Sequence, residues 1–115
     1  MRILDPPPIP LLQELEPFSG IHPQELERIS NLMQRQLFAS GEVLIEEGAV
    51  ATKFFVLIKG RLEVVKSTEG NDQEVLNTIN QSGELFGEMA LVEDKLRSAG
   101  IVAKVESEVL VVQKE

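Results

Sequence analysis

The hydrophobic pattern of this chain changes from a helical period to short strand-like runs near residue 36. In residues 11–35, apolar side chains recur at steps of three and four, which places them on one face of a helix. They are Leu11, Leu12 and Leu15 in a first segment, and Leu26, Ile29, Leu32 and Met33 in a second. Pro23 suits the first turn of the second helix. The pattern predicts N-terminal helices that lie on a core.

From Gln36 onward, runs rich in Val, Ile, Leu and Phe alternate with turn residues, as in an all-β domain. The runs read EVLIEEG, KFFVLIKG, RLEVVKS, EVLNTIN, ELFG, GIVAKV and EVLVVQ. No segment of helical length separates successive runs, so the pattern argues against a parallel sheet with crossover helices. We therefore predict a mainly β fold with N-terminal helices, in which residues 36–115 form an antiparallel sandwich or jelly roll.

Residues 1–10 differ from both parts, because four prolines fall within residues 5–10. Proline lacks the backbone donor that a helix needs and favours an extended polyproline conformation. We predict that this segment is a tether that precedes a single domain of residues 11–115, since 115 residues suit one hydrophobic core.

Composition narrows the classes of function. The chain has no cysteine and a single histidine, His22, so thiol chemistry and cysteine or histidine metal centres find no support. Its formal net charge of −8 opposes direct binding to a nucleic-acid backbone. No apolar run has the length of a membrane span, and the N-terminus lacks the pattern of a signal peptide. These features favour a cytoplasmic domain with no nucleic-acid contact and no membrane insertion.

The stretch FGEMALVEDKLRSAG, residues 86–100, breaks the rhythm of the strands. Good helix formers follow Gly87 directly, which predicts one helical turn inside the β domain. The first N–H groups of such a turn can bind an anion, and glycine lets the ligand approach the backbone. Arg97 can add charged donors and Ser98 a hydroxyl group. Glu88 suits a ligand that also carries hydroxyls, because a carboxylate accepts hydrogen bonds.

An anion that also carries hydroxyl groups describes a nucleotide, and here the sequence resembles a known family. Gly87-Glu88-Met89-Ala90-Leu91 and Arg97-Ser98-Ala99 resemble the phosphate-binding cassette of cyclic nucleotide-binding domains. The resemblance covers residues 11–115 and implies N-terminal helices followed by an eight-stranded β-roll. It also implies a binding site of seven residues: Gly87, Glu88, Met89, Ala90, Arg97, Ser98 and Ala99.

The resemblance further implies a role for each part of that site. Arg97 would bind the cyclic phosphate, and Glu88 would accept a hydrogen bond from the ribose 2′-hydroxyl. Ser98 and the backbone amides near Met89, Ala90 and Ala99 would complete the cradle. Because Arg97-Ser98-Ala99 is closer to the bacterial form of the cassette, cAMP is a better prediction for the ligand than cGMP.

The function that the resemblance implies is that of a regulatory sensor. Binding of cAMP would control an effector domain in the same chain or in a partner chain. The helices that follow the β-roll in this family, which cover the base and form dimers, are not found before Glu115. A homodimer through such a helix is therefore an expectation about sequence beyond that residue.

Two alternatives belong to other classes of function. The cassette could be empty, with Glu88 and Arg97 joined in a structural salt bridge, and the domain would then be an interaction or dimerisation module. Leu96 supports this interpretation, because many members of the family have proline before the arginine. A metal-dependent jelly-roll enzyme is the second alternative, and the single histidine argues against it. We predict no catalytic residue, no metal and no cofactor other than the nucleotide ligand.

Overall fold

The computed structural model describes residues 1–113, so Lys114 and Glu115 lie outside the described residues. Its helices are α1 (Ile9–Glu14), α2 (Pro23–Ser30) and α3 (Met89–Val92), with a 3₁₀ turn at Glu16–Phe18. Its strands are β1 (Arg2–Ile3), β2 (Met33–Phe38), β3 (Val43–Ile45), β4 (Lys53–Lys59), β5 (Leu62–Ser67), β6 (Gln73–Ile79), β7 (Leu85–Phe86), β8 (Gly100–Ala103) and β9 (Ser107–Gln113). None of the helices in residues 1–113 combines the length and hydropathy of a membrane span.

The strands form two sheets whose pairings are all antiparallel. One sheet has the order β1-β2-β9-β4-β7, and the other has the order β3-β8-β5-β6. Strands β2 to β9 are the eight strands of a β-roll, and β1 is added at one edge. The mainly β class, the antiparallel roll, the N-terminal helices and the short helix in the cassette are all confirmed.

The core has two parts, which lie on opposite faces of the five-stranded sheet. Phe55, Leu57, Val109 and Val111 point into the roll, where they pack against residues of the second sheet. The alternate residues of the same two strands, Val56 and Leu110, point to the helices. They pack there in a second apolar cluster with Leu12, Leu15, Phe18, Leu26 and Met33. Strand β4 is apolar almost throughout because both of its faces are covered.

The first ten residues differ from the predicted tether. Arg2 and Ile3 pair with Leu37 and Gln36 of β2, and Pro7 is buried. The ammonium group of Met1 also forms an ion pair with Glu42, which lowers the pKa of that carboxyl group. Pro8 has an extended backbone, with φ −70° and ψ 152°, but Ile9 and Pro10 already belong to helix α1, where proline is tolerated in the first turn. The extended residues Arg2 and Ile3 add a strand to the open edge of the sheet.

The predicted end of the N-terminal helical part, at residue 35, is also wrong. Helix α2 ends at Ser30, and strand β2 begins at Met33. Met33 is buried as predicted, but it is buried from a strand, whereas Leu32 is exposed. A single apolar residue at the junction fits both a helical and a strand period, so the hydrophobic pattern alone could not locate this boundary.

We predict that Gly60→Ala destabilises the domain strongly. Gly60 has a φ of 130°, and a Cβ there would lie 2.2 Å from Oγ of the buried Ser107. The clash and the backbone strain together should lower the free energy of unfolding by about 3 kcal/mol or more. Urea denaturation measures the change.

Gly70→Ala is the matched control. Gly70 also has a positive φ, of 78°, but a Cβ there would meet no atom within 4 Å. It should therefore cost only about 1 kcal/mol. Equal losses in the two variants would show that the contact with Ser107 is unimportant.

Candidate functional site

A cavity of about 350 Å³ opens beside the segment from Glu84 to Ala90 and the segment from Arg97 to Ala99. All seven residues predicted from the sequence line this one cavity: Gly87, Glu88, Met89, Ala90, Arg97, Ser98 and Ala99. The structure therefore brings together side chains and backbone from both ends of the predicted cassette. The geometry is compatible with a single ligand that contacts both segments, and their individual roles remain predictions.

Gly87 makes the turn from β7 into α3, with a φ of 78° that favours glycine. A Cβ at this position would lie 3.1 Å from Nη1 of Arg97 and 3.2 Å from a ring carbon of Phe55. Phe55 also stacks on Phe86, with ring centroids 5.1 Å apart and an angle of 7° between the rings. The turn thus packs directly on the aromatic core.

Arg97 is the buried cation of the site, with 7% of its surface exposed. Its guanidinium donates hydrogen bonds to the carbonyl oxygens of Gly87 and Lys53. Its backbone N–H donates to the carbonyl of Ala49 at 2.8 Å, and its own carbonyl accepts from the N–H of Gly48 at 2.7 Å. Both the side chain and the backbone of Arg97 are therefore held in place by other parts of the fold.

Burial has the larger effect on the pKa of Arg97, and the charge of Glu88 has the smaller effect. Burial lowers the pKa of the guanidinium because it disfavours the charged form, whereas the negative charge of Glu88 raises it. Within residues 1–113, the side chains of Arg97 and Glu88 do not form an ion pair with each other. The structural salt bridge considered from the sequence is therefore not what holds Arg97. An anion in the cavity would relieve the cost of burying this charge.

The start of helix α3 lies at the cavity. Glu88 precedes the helix, and the amide groups of Val92 and Glu93 are the first that bond back into it, to Glu88 and Met89. A helix leaves the N–H groups of its first turn without a carbonyl partner inside the helix, and here these are the N–H groups that precede Val92. Met89 is exposed, and Ala90 is half-buried at the cavity.

Leu96, which stands where many family members have proline, joins the cassette to the loop between β3 and β4. It forms an isolated antiparallel bridge with Val50. The backbone bridge to Val50, rather than a proline ring, therefore fixes the cassette at Leu96. Ser98 and Ala99 follow at the cavity wall, where Ser98 is exposed and Ala99 is half-buried.

Sequence reasoning missed the wall formed by the second sheet. Strands β3, β5, β6 and β8 contribute to the cavity the side chains of Ile45, Val64, Asn77, Ile79 and Ile101. Asn77 is the polar member of this group. The sequence did contain a signal for it, because Asn77 lies two residues before the buried Ile79 and so shares its inward face on a strand.

An apolar groove of about 290 Å³ adjoins the cavity. Its lining residues are Phe54, Leu85, Glu88, Leu91 and Val92. Glu88 therefore borders both the cavity and the groove. Val92 is 80% exposed, and Met89 nearby is 60% exposed. Helix α3 thus exposes more apolar surface to water than a solvent-facing helix usually does.

Comparison with known proteins assigns the chain to one family. The family model for the cyclic nucleotide-binding domain matches residues 35–115. The human cGMP-dependent protein kinase 2 is 37% identical over 93 residues, which are 81% of this chain and 12% of that protein. A cAMP-dependent protein kinase regulatory subunit from Blastocladiella emersonii is 34% identical over 93 residues, which are 81% of this chain and 23% of that protein.

A solved structure extends the likeness to three dimensions. The cAMP-binding acyltransferase from Mycobacterium smegmatis, as the mutant R95K, superposes with a TM-score of 0.81 at 29% sequence identity, over 92% of this chain and 33% of that chain. This chain therefore belongs to the cyclic nucleotide-binding domain family. It spans less than a quarter of the length of the two kinase relatives.

We predict that Gly87→Ala disturbs the site through Arg97. The added methyl group would press on the Arg97 guanidinium and on the core below, and the backbone would hold a positive φ without glycine. The free energy of unfolding should fall by about 2 to 4 kcal/mol. Chemical denaturation measures the loss.

Gly41→Ala provides the comparison. Gly41 has a φ of 92°, with no atom within 4 Å of an added Cβ. It should lose only about 1 to 2 kcal/mol, the cost of the backbone conformation alone. A Gly87→Ala variant no less stable than Gly41→Ala would argue against tight packing at the cassette.

Proposed function

We propose that the cavity binds a 3′,5′-cyclic nucleotide, with its phosphate at Arg97, and that occupancy controls an attached effector. The observation that carries the proposal is a buried guanidinium at a cavity lined by all seven residues of the predicted cassette. A buried cation is costly without an anion or strong acceptors near it. A cyclic phosphate is an anion of the size and charge that such a site can take.

Arg97 can bind the phosphate without giving up its place in the fold. The carbonyls of Gly87 and Lys53 take two hydrogen bonds, and the guanidinium has further N–H donors. Arginine presents these donors in a planar fork that matches phosphate oxygens. The first amides of α3, with Ser98 and Ala99, would provide additional donors around the same anion.

Glu88 would bind the ribose of the same ligand. It borders the cavity close enough to Arg97 to raise the pKa of the guanidinium, yet it forms no ion pair with it. Its carboxylate oxygens therefore remain available as acceptors, and a sugar hydroxyl is a donor. This arrangement explains why an acid and a base stand at one anion site.

The relatives of this chain support a cyclic purine nucleotide as the ligand. They include a cGMP-dependent kinase, a cAMP-dependent kinase regulatory subunit and a cAMP-binding acyltransferase. We propose cAMP as the ligand, as the sequence predicts, and cGMP as the related ligand to be compared with it.

The chain would act by binding rather than by catalysis. Because it covers a small part of each kinase relative, we propose that the controlled activity belongs to another segment or to a partner chain. A ligand shifts such a system only if it binds one arrangement of the domain more tightly than another. The cytoplasmic location and the homodimer remain predictions.

We expect the protein to bind cAMP and cGMP at least about tenfold more tightly than 5′-AMP. The open-chain phosphate of 5′-AMP carries extra negative charge and lacks the ring that fits a closed cradle. Isothermal titration calorimetry with the three ligands measures the difference. Equal affinity for all three would contradict the cradle, and no binding of any would favour a ligand-free interaction module.

We expect Arg97→Ala to lower cAMP affinity by roughly 30-fold to several thousand-fold, the cost of removing one partner of a buried charge pair. Arg97→Lys should also bind poorly, because a point charge cannot replace the planar fork. It tests the site if the alanine variant is too unstable to purify.

Arg61→Ala is the matched control for these variants. Arg61 is an exposed arginine that does not line the cavity, so its loss should leave the affinity within about twofold. Circular dichroism confirms that each variant is folded. An Arg97→Lys variant that is folded and binds cAMP like the unmodified protein would overturn the role of Arg97.

A further inference from the structure

Methionine side chains carry all of the sulfur in this chain, which has three methionines and no cysteine. Met33 is buried, with 7% of its surface exposed, whereas Met1 is 53% and Met89 is 60% exposed. A peroxide must reach the sulfur atom from solvent in order to oxidise it, so exposure decides which methionines react. Met1 and Met89 are therefore the two methionines of this chain that an oxidant can reach.

Met89 differs from Met1 because it belongs to the candidate site. It is the first residue of α3, directly after Glu88, and it lines the same cavity as Arg97. Within residues 1–113 it packs in neither of the two apolar clusters of the core. A chemical change at Met89 therefore alters the polarity of the cavity without disturbing the core.

Hydrogen peroxide converts a methionine thioether into a sulfoxide by the transfer of one oxygen atom. A lone pair of the sulfur attacks one peroxide oxygen, the O–O bond breaks, and an S–O bond forms. The sulfur loses two electrons, and the other peroxide oxygen leaves with both protons as one molecule of water. The product is a polar and chiral side chain, and methionine sulfoxide reductases can reverse the change.

A sulfoxide at Met89 adds a polar oxygen where the thioether was apolar. This oxygen carries partial negative charge, and the residue follows Glu88 at a cavity whose cation is Arg97. Added negative charge opposes the binding of an anion, and a ligand that displaces water from the sulfoxide loses free energy. We propose that Met89 is an oxidation site and that its sulfoxide weakens the binding of a cyclic nucleotide in the cavity. This inference rests on the proposed function, because it concerns the ligand whose phosphate Arg97 would hold.

The test is treatment of the protein with hydrogen peroxide, followed by peptide mass spectrometry and by calorimetry with cAMP and cGMP. Met1 and Met89 should gain one oxygen atom at comparable rates, and Met33 should react much more slowly. The affinity for the nucleotides should fall by about fivefold to tenfold, as expected for a polar group added beside an anion site. Methionine sulfoxide reductases A and B, each of which reduces one epimer, should restore the affinity.

Met89→Leu is the matched control, because leucine keeps an apolar side chain of similar volume but has no sulfur. Before treatment this variant should bind like the unmodified protein, within about twofold. Peroxide should then leave its affinity unchanged. Met1 is oxidised in the variant as well, so the comparison also separates the effect of Met89 from that of Met1. Circular dichroism confirms that the treated proteins are folded.

The outcomes separate the inference from the function on which it rests. If the untreated protein binds neither cAMP nor cGMP, the proposed function fails and the effect on affinity fails with it, whereas mass spectrometry still decides whether Met89 is the oxidation site. If the untreated protein binds, any of three results overturns the inference alone. Met89 reacts as slowly as Met33, its oxidation leaves the affinity unchanged, or peroxide weakens binding by Met89→Leu as much as binding by the unmodified protein.

Discussion

The burial of one positive charge organises this domain. Arg97 can be buried because its guanidinium donates to the carbonyls of Gly87 and Lys53, two residues that are far apart in the chain. A buried charge without such partners would cost several kcal/mol. The same bonds therefore stabilise the cation and join the cassette to strand β4, so the position of the binding segment depends on the residue that would bind the ligand.

The rest of the fold supplies the rigid surface beneath that contact. Phe55 lies under Gly87, stacks on Phe86 and pairs with it across β4 and β7. Helices α1 and α2 cover the other face of the sheet through Leu110 and Val56. Because packed interiors deform little, this core holds the cassette that rests on it in place.

Local patterns in the sequence were sufficient for the strands from β3 to β9, and the family resemblance was sufficient for the seven cassette residues that line the cavity. Non-local features were not accessible in the same way. The pairing of Arg2 and Ile3 with β2 depends on an open sheet edge that the first ten residues do not reveal. The carbonyl partners of Arg97 come from the folded topology, whereas the sequence offered Glu88 as a partner only in the alternative of an empty cassette. Asn77 was overlooked because it was treated only as part of a strand, although its position relative to Ile79 marks it as inward-facing.

The contacts of Arg97 also suggest how occupancy of the site could reach the rest of the molecule. A phosphate forms charge-assisted hydrogen bonds with arginine that are stronger than those formed by a neutral carbonyl. A phosphate bound at the remaining N–H donors would therefore pull on the guanidinium that also holds the Gly87 carbonyl, and a shift of Gly87 would be passed through Glu88 to α3. Helix α3 contributes Leu91 and Val92 to the apolar groove, and Glu88 borders both the groove and the cavity. A change in the partners of Arg97 would thus alter an exposed apolar surface, which is the kind of surface that another segment or chain can recognise.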